Sequence, residues 1–332
     1  MNPVVLEATV IVNRRVCPLS ADRERVFLLC AADEARQIRD DVETLTEIPC
    51  SIVGVLDPSR FSNAEEILNA ITSLVPTIVV VSSEVAEDAT VIAALTQVPL
   101  RIRDLTAFYD EYICKVPIRE LESPAIPFDL RQVQHPFYGC LLRILDVSFS
   151  IVALLILVVI LPLVWVGNLL GNRGHLFLAQ ERVGKGMKVF TIWKLRTTIS
   201  SNATNQWTSP HVPRVTGFGR FLRATHLEEL PQAWNILRGE LSLVGPRPEE
   251  PHYVEQLSAT IPFYSTRHLV TPGLTGWAQI NHPWVSNHKD VYESLQYDFW
   301  YLRHQHLTLD LKIIACAVRR AFGLQRRWNR IR

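Results

Sequence analysis

Short apolar runs alternate with helical periodicity over residues 23–119. In order the segments read RVFLLC, DEARQIRDDVETL, CSIVGVLD, AEEILNAITSL, PTIVVVSS, DATVIAALTQV and PLRIRDL. Runs that are apolar at successive positions suit strands covered on both faces, so the pattern predicts a small parallel sheet flanked by helices. A nucleotide held by such a sheet needs glycines at the first strand-to-helix turn. Here that turn reads CAADEARQ, with no glycine, and Asp33 and Glu34 place negative charge where a phosphate would sit. A scaffolding or regulatory role is the reading for this domain, residues 1–120. Residues 121–140 contain Pro124, Pro127 and Pro136 and little periodicity, and are expected to form a linker.

The pattern then changes abruptly. Residues 147–170, VSFSIVALLILVVILPLVWVGNLL, run for 24 positions without a charge. As a helix this is about 36 Å at ~1.5 Å per residue, enough for a bilayer core. A membrane segment over residues 141–172 is predicted; a buried core helix is the alternative, disfavoured by the absence of a polar face. Pro162 interrupts the run and is expected to bend it. Arg131 and Arg143 precede the charge-free run, and Arg173, Arg182, Lys185 and Lys188 follow it. Basic residues on both flanks favour two cytoplasmic ends. The N-terminus shows no basic cluster, apolar run and cleavage site of a signal peptide. A re-entrant helix, broken at Pro162 and leaving by the face it entered, satisfies these observations if polar groups cover the freed carbonyl.

Residues 173–332 return to mixed patterning. HLFLAQERVGKGMKVFTIWKLRT reads as two strands around the turn Gly184-Lys185-Gly186. Residues two apart share a strand face, so Gln180 groups with Arg182, and Lys194 with Arg196. That is a candidate phosphate-binding face or an ordinary polar strand face. In LVGPRPEEP, Pro246 and Pro248 fix the backbone on either side of Arg247. A guanidinium on so stiff a loop suits bidentate phosphate recognition, against a plain surface turn. TPGLTGWAQINHP is dense in turn formers and is expected to be a loop packing Trp277 near a site. Residues 292–322 show helical periodicity and contain Asp298 and Asp310.

The stretch HLEELPQAW, residues 226–234, sets Glu228 and Glu229 side by side. Thr225 stands three residues before Glu228, the spacing of a capping box, so Glu228 could merely satisfy helix donors. Pro231 is better placed at the first position of a helix, which puts both acids just ahead of it. There the helix dipole draws anions, and two carboxylates could reach Mg²⁺ and a diphosphate together.

Composition narrows the class. A chain of 332 residues, 48% hydrophobic, can build more than one domain. A net charge of +1 gives no global field for nucleic acid. The six cysteines are scattered without metal or disulfide spacing, which fits a reducing compartment. His304 and His306 are two apart and do not share a helix face.

Together the motifs resemble the bacterial sugar transferase family, the monotopic polyprenyl-phosphate phosphoglycosyl transferases that initiate exopolysaccharide and related glycans. The resemblance covers residues 143–322 and rests on RILD leading into the membrane helix, QERVGKGMKVFTIWKLRT, PRVTGFGRFLRATHLEELPQAWNILRGELSLVGPRPE, TPGLTGWAQIN and YDFWYLRHQHLTLDLKII. Residues 23–120 resemble the Rossmann-like domain of longer members, whose further N-terminal membrane helices are not seen in this sequence. The resemblance implies an α/β chain: a Rossmann-like parallel sheet domain, a re-entrant membrane helix, and an α+β catalytic domain over residues 173–332. It implies transfer of a sugar-1-phosphate from a UDP-sugar to polyprenyl phosphate, on the cytoplasmic face of a bacterial inner membrane. Glu228 falls on the nucleophile position and Glu229 on that of the Mg²⁺ ligand. Gln180, Arg182, Lys194, Arg196 and Arg247 are then expected on the substrate, and Pro162, Pro246 and Pro248 are structural. Membrane lipid is a further partner, a homo-oligomer is compatible, and nucleic acid is not expected. The family has Asp where Glu228 stands. The extra methylene, about 1.5 Å, leaves open an impaired, membrane-anchored binding or assembly protein of the same pathway.

Overall fold

A computed structural model describes residues 24–44, 50–57, 64–118, 136–172, 174–198, 215–282 and 287–321. They fall into two units, one within residues 24–118 and the other within residues 136–321.

The first unit is the expected parallel sheet. Its elements are β1 (Glu24–Leu29), α1 (Ala32–Thr44), β2 (Cys50–Leu56), α2 (Ala64–Ser73), β3 (Ile78–Val81), α3 (Ser83–Ala86), α4 (Ala89–Leu95), β4 (Arg101–Asp104) and α5 (Leu105–Phe108). The strand order is β2-β1-β3-β4, all parallel. Strand alternation divides the core in two. Val26, Leu28, Ile78 and Val80 pack with Ile38, Phe108 and Tyr112. On the opposite face Phe27, Leu29, Val79 and Val81 meet Ile67, Ile71 and Leu95. Both faces are covered, which is why β1 and β3 read as continuous apolar runs rather than alternating ones. Gly54 admits the Phe27 ring where the β1–β2 register shifts, since a Cβ there would lie 2.6 Å from it.

The second unit begins with α6 (Pro136–Gly171). The helix starts inside the expected linker, because Pro136 is tolerated at a first helical turn where no donor is needed. Residues 119–135, the rest of that linker, lie outside the described residues. Pro162 lies within α6, which continues through it as one element. A single stripe of α6 is buried: Asp146, Ser150, Ala153, Leu157, Val164, Asn168 and Asn172 just beyond its end. These recur at the three- and four-residue spacing of one helix face. The opposite side, including Val152, Leu155, Val159, Leu163 and Leu170, is exposed and apolar.

The remaining elements are β5 (Phe177–Val183), β6 (Val189–Leu195), α7 (Gly217–Ala224), α8 (Gln232–Arg238), β7 (Ser242–Val244), α9 (Pro251–Thr260), β8 (Gly273–Thr275), α10 (Trp277–Asn281), α11 (His288–His304) and α12 (Leu307–Ala321). Strands β5 and β6 form the expected antiparallel hairpin, with Gly186 at φ 64° in its turn. Strands β7 and β8 pair in parallel.

Both ends of α6 are hydrogen-bonded to this unit. Near its start, Arg143 donates to the carbonyls of Ile236 and Leu237 at 2.6 and 2.5 Å, capping the C-terminal end of α8. One turn on, the Leu243 N–H and the Ser242 hydroxyl donate to Asp146 at 2.8 and 3.2 Å. At the far end, Asn168 donates to the Gly174 carbonyl at 2.8 Å and Asn172 to that of Arg196 at 2.6 Å. Between them Leu157 and Val164 pack on Leu195 and Leu222. Gly167 leaves room for the Phe218 ring, which a Cβ would strike.

Asp146→Ala strands a buried donor, so it should lower stability by about 1–3 kcal/mol. Thermal unfolding in detergent measures this, and Asp146→Asn, which retains an acceptor oxygen, should lose less.

Candidate active site

Helix α7 ends at Ala224, and the chain reverses at His226, whose φ of 55° is left-handed. One 3-10 turn, Leu227–Glu229, then carries both acids. Pro231 (φ −61°) stands at the N-cap of α8, so the carboxylates lie ahead of the helix, as its position suggested. The capping-box alternative fails. The Thr225 hydroxyl donates backwards into α7, to the carbonyls of Phe221 and Leu222 at 2.9 and 3.1 Å. Glu228 is half-buried, and its Oε2 has no hydrogen-bonding partner among the described residues. Burial raises its pKa; its own main-chain N–H opposes the shift, Glu229 adds to it, and His226 and Lys194 oppose it. An oxygen withdrawn from water, with a lone pair unused, is poorly suited to a helix cap and well suited to bonding something absent from the chain.

Lys194 faces this pair. Opposite residues of an antiparallel ladder share a face, and the register pairs Leu178 with Lys194, Gln180 with Ile192 and Arg182 with Phe190. Gln180, Arg182 and Lys194 therefore lie on one side of the hairpin. Burial, then Arg247 and Arg182, push the Lys194 ammonium down to about 8, with Glu229 and Glu228 resisting. Those five groups thus share one electrostatic environment. Asn235 on α8 fixes the acids relative to this strand. It donates to the Thr191 carbonyl at 2.7 Å and accepts from the Trp193 N–H at 3.3 Å, standing in for a neighbouring strand along the β6 edge. The same amide nitrogen donates to Glu240 at 2.8 Å.

Arg247 is presented by a loop that cannot hold itself. Pro246 and Pro248 have no N–H, so the loop is fixed through its carbonyls. Four consecutive ones are engaged. Pro246 accepts from the Gly273 N–H at 2.9 Å, and Glu249 from the Val183 N–H at 2.9 Å. Arg247 accepts from Arg267 at 3.0 Å and Pro248 from Arg182 at 3.4 Å. Gly245 and Gly273 allow this approach, since a side chain at Gly273 would strike the Gly245 main chain. The prolines are buried and the Arg247 side chain is exposed; among the described residues it has no carboxylate partner.

A family model described as bacterial sugar transferase matches residues 137–323, more than half of the chain. The chain belongs to that family. It is 34% identical over 186 residues to a UDP-N-acetylgalactosamine-undecaprenyl-phosphate N-acetylgalactosaminephosphotransferase of Aeromonas hydrophila, covering 55% of this chain and 44% of that protein. It is 38% identical over 186 residues to an undecaprenyl-phosphate glucose phosphotransferase of Komagataeibacter xylinus, covering 54% of this chain and 35% of that one. An uncharacterized sugar transferase of Bacillus subtilis, EpsL, is 38% identical over 148 residues, 43% of this chain and 68% of its own length. The chain thus spans less than half the length of the first two relatives.

Not every expected site residue of this sugar transferase joins the cluster. Strand β6 stops at Leu195, so Arg196 leaves the shared face and its Nε donates to the His175 carbonyl at 2.7 Å. Arg182 also faces Glu250 and Glu249 at 3.3 and 3.8 Å, which makes it more a support of the loop than a free cation. Gln180 accepts from Arg182 at 3.4 Å. Asp310 accepts from the hydroxyls of Tyr138 and Tyr301 at 2.6 and 2.9 Å and ties α12 to α6 and α11. TPGLTGWAQIN is a strand and a short helix rather than a loop, and Trp277 is core, stacked on Trp300 with centroids 4.9 Å apart. A cavity of about 360 Å³ lies not at the acids but beside the start of α6, lined by Tyr138, Arg143, Asp146, Lys185 and Gln305 among others. Sequence reading missed Arg267 and Asn235. A polar residue on the apolar face of a helix, as in WNILRG, was the available sign of Asn235.

Lys194 is charged below about pH 8 and neutral above it. Affinity for a diphosphate anion, measured by calorimetry, should therefore fall as pH rises through about 8, with a limiting slope of about tenfold per pH unit. Lys194→Arg should flatten the profile. Fold stability has the opposite sign: the unfolded chain keeps this proton up to the ordinary lysine range, so stability rises with pH above about 8.

Proposed function

We propose that this sugar transferase moves a sugar-1-phosphate from a UDP-sugar to polyprenyl phosphate through a covalent intermediate on Glu228. The observation that carries the reading is the unpartnered Oε2 of Glu228, placed in the field of Lys194 and beside Glu229. A carboxylate oxygen of Glu228 forms a bond to the β-phosphorus while the bond from that phosphorus to the bridging oxygen breaks. UMP leaves with the bridging oxygen. A phosphate oxygen of the polyprenyl acceptor then attacks the same phosphorus, and the carboxylate is restored. Splitting one transfer into two makes the carboxylate the nucleophile of the first step and the leaving group of the second.

Lys194 and Arg247 bind and orient the diphosphate, one from a sheet face and one from a stiff loop. Glu229 and the diphosphate oxygens suit Mg²⁺, which favours hard oxygen donors and usually takes only one or two carboxylates with substrate phosphates. Bound there, the ion supplies charge neutralisation on the diphosphate. Burial raises the pKa of Glu228 while Lys194 opposes the shift, which favours the ionised form that the attack requires.

The proposed membrane arrangement draws its support from α6. Its exposed side is apolar along its length, and its two ends are bonded to one unit. Both features support a segment that enters and leaves by the cytoplasmic face of the inner membrane, bent at Pro162 and delivering the lipid acceptor to the acids. Initiation of exopolysaccharide or related glycan synthesis is the corresponding pathway step.

The decisive assay supplies the purified protein with UDP-sugars, Mg²⁺ and polyprenyl phosphate and measures UMP. Glu228→Gln should reduce release at least about a thousandfold while leaving the protein in membranes. Normal release by that variant removes Glu228 from the reaction. No release from the native chain across a broad sugar panel, with turnover restored by Glu228→Asp, would instead identify an impaired binding protein. Cysteine labelling near both chain ends should find the two on the cytoplasmic side; labelling on opposite sides excludes the re-entrant path.

A further inference from the structure

We infer that Arg267, clamped by Asp298 and Tyr264, is a positioning residue that sets the reach of Arg247 into the site. The inference rests on the proposed phosphate-binding role of Arg247 and adds what holds it there.

Arg267 lies in a 3-10 turn, Tyr264–Leu269, and is 6% exposed. A guanidinium so deep requires compensation, because a buried unpaired charge is costly. It has three partners. Its Nη2 lies 2.9 Å from the Asp298 carboxylate, itself 2% exposed. The same nitrogen donates to the Arg247 carbonyl at 3.0 Å, and Nη1 donates to the Tyr264 hydroxyl at 2.7 Å. The guanidinium also lies over the Tyr264 ring, 5.2 Å from its centroid.

These contacts join distant pieces of chain. Asp298 sits on α11, the turn carries Arg267, and the loop after β7 carries Arg247. The bond to Arg247 falls on the main chain of the residue whose side chain projects outward. Neither neighbouring proline can donate a hydrogen bond to fix that peptide, so the orientation of Arg247 depends on what its carbonyl finds. Arg267 presents two hydrogen-bonding nitrogens in a rigid plane, which lets one side chain hold a carboxylate, a hydroxyl and a carbonyl together. An ammonium cannot reproduce that fork.

Arg267→Lys, made in the full chain, tests the assignment by a double-mutant cycle with Arg247→Ala. In the otherwise native chain it should lower kcat/KM for the UDP-sugar about tenfold, mainly through KM. In the Arg247→Ala background it should change kcat/KM less than about twofold, because the group being positioned is gone. Hydrogen exchange of a peptide spanning residues 243–255 should rise in Arg267→Lys, with the N-terminal unit unchanged. Asp298→Asn, close in shape, should reproduce the direction of both effects and serves if Arg267→Lys does not fold. Equal losses in the two backgrounds, or loop exchange identical to native, would overturn the positioning role. A native chain that releases no UMP while Arg267→Lys still loosens the loop would leave this inference standing and remove the proposed reaction alone.

Discussion

An apolar helix that water will not accept is hydrogen-bonded at both ends to a single polar unit, and the second half of the protein is arranged around that constraint. Arg143 and Asp146 hold the start of α6 against the end of α8 and the beginning of β7. Asn168 and Asn172 hold its finish against the end of the hairpin. The buried stripe is polar at its two ends and apolar in its middle, so one face satisfies the unit while the other stays exposed and apolar. The acids, on the turn between α7 and α8, are held to the same stripe, because Leu227 and Leu230 on either side of them pack against the cluster that contains Leu157 and Val164.

Extended sheet is scarce in this unit, and side chains do what a ladder would otherwise do. Strands β5 and β6 form one pair and β7 and β8 another. Asn235 closes the free edge of β6, Asp146 receives the Leu243 amide and the Ser242 hydroxyl of β7, and Arg182 and Arg267 donate to carbonyls of the loop that follows. Buried polar groups of this kind are costly when half satisfied and rigid when fully satisfied. Here they orient the groups proposed to meet the diphosphate. Lys194 and Arg247 differ accordingly. The first is half-buried and its proton is loosened by burial first and then by neighbouring cations; the second is solvent-facing on a buried, donor-poor loop.

Asp298 shows how burial and pairing compete at the back of the site. Burial pushes its carboxyl up to about 6, although the Arg267 guanidinium opposes the shift. Such a pair contributes little net stability compared with apolar packing, yet removing one partner leaves the other stranded. Its use is better sought in geometry, in the peptide of Arg247 that it helps to hold.

Much was legible from local pattern alone. Strands β1 and β3 announced themselves as doubly covered, the hairpin was marked by its glycine turn, the apolar helix by its length, and the position of the acids ahead of α8 by Pro231. Each is a property of neighbouring residues, where periodicity and backbone restriction act directly. What only tertiary structure decided is whose hydrogen bonds are met by whom. Thr225 had the spacing of a cap and bonded backwards instead; Arg196 had the parity of Lys194 but lay one residue past the strand's end; Asp310 turned to two tyrosines. Arg267 meets Arg247 twenty residues away and Asp298 thirty-one away, for no reason written near any of them. A buried polar group must be satisfied, but sequence specifies the need and only the packed chain selects the partner.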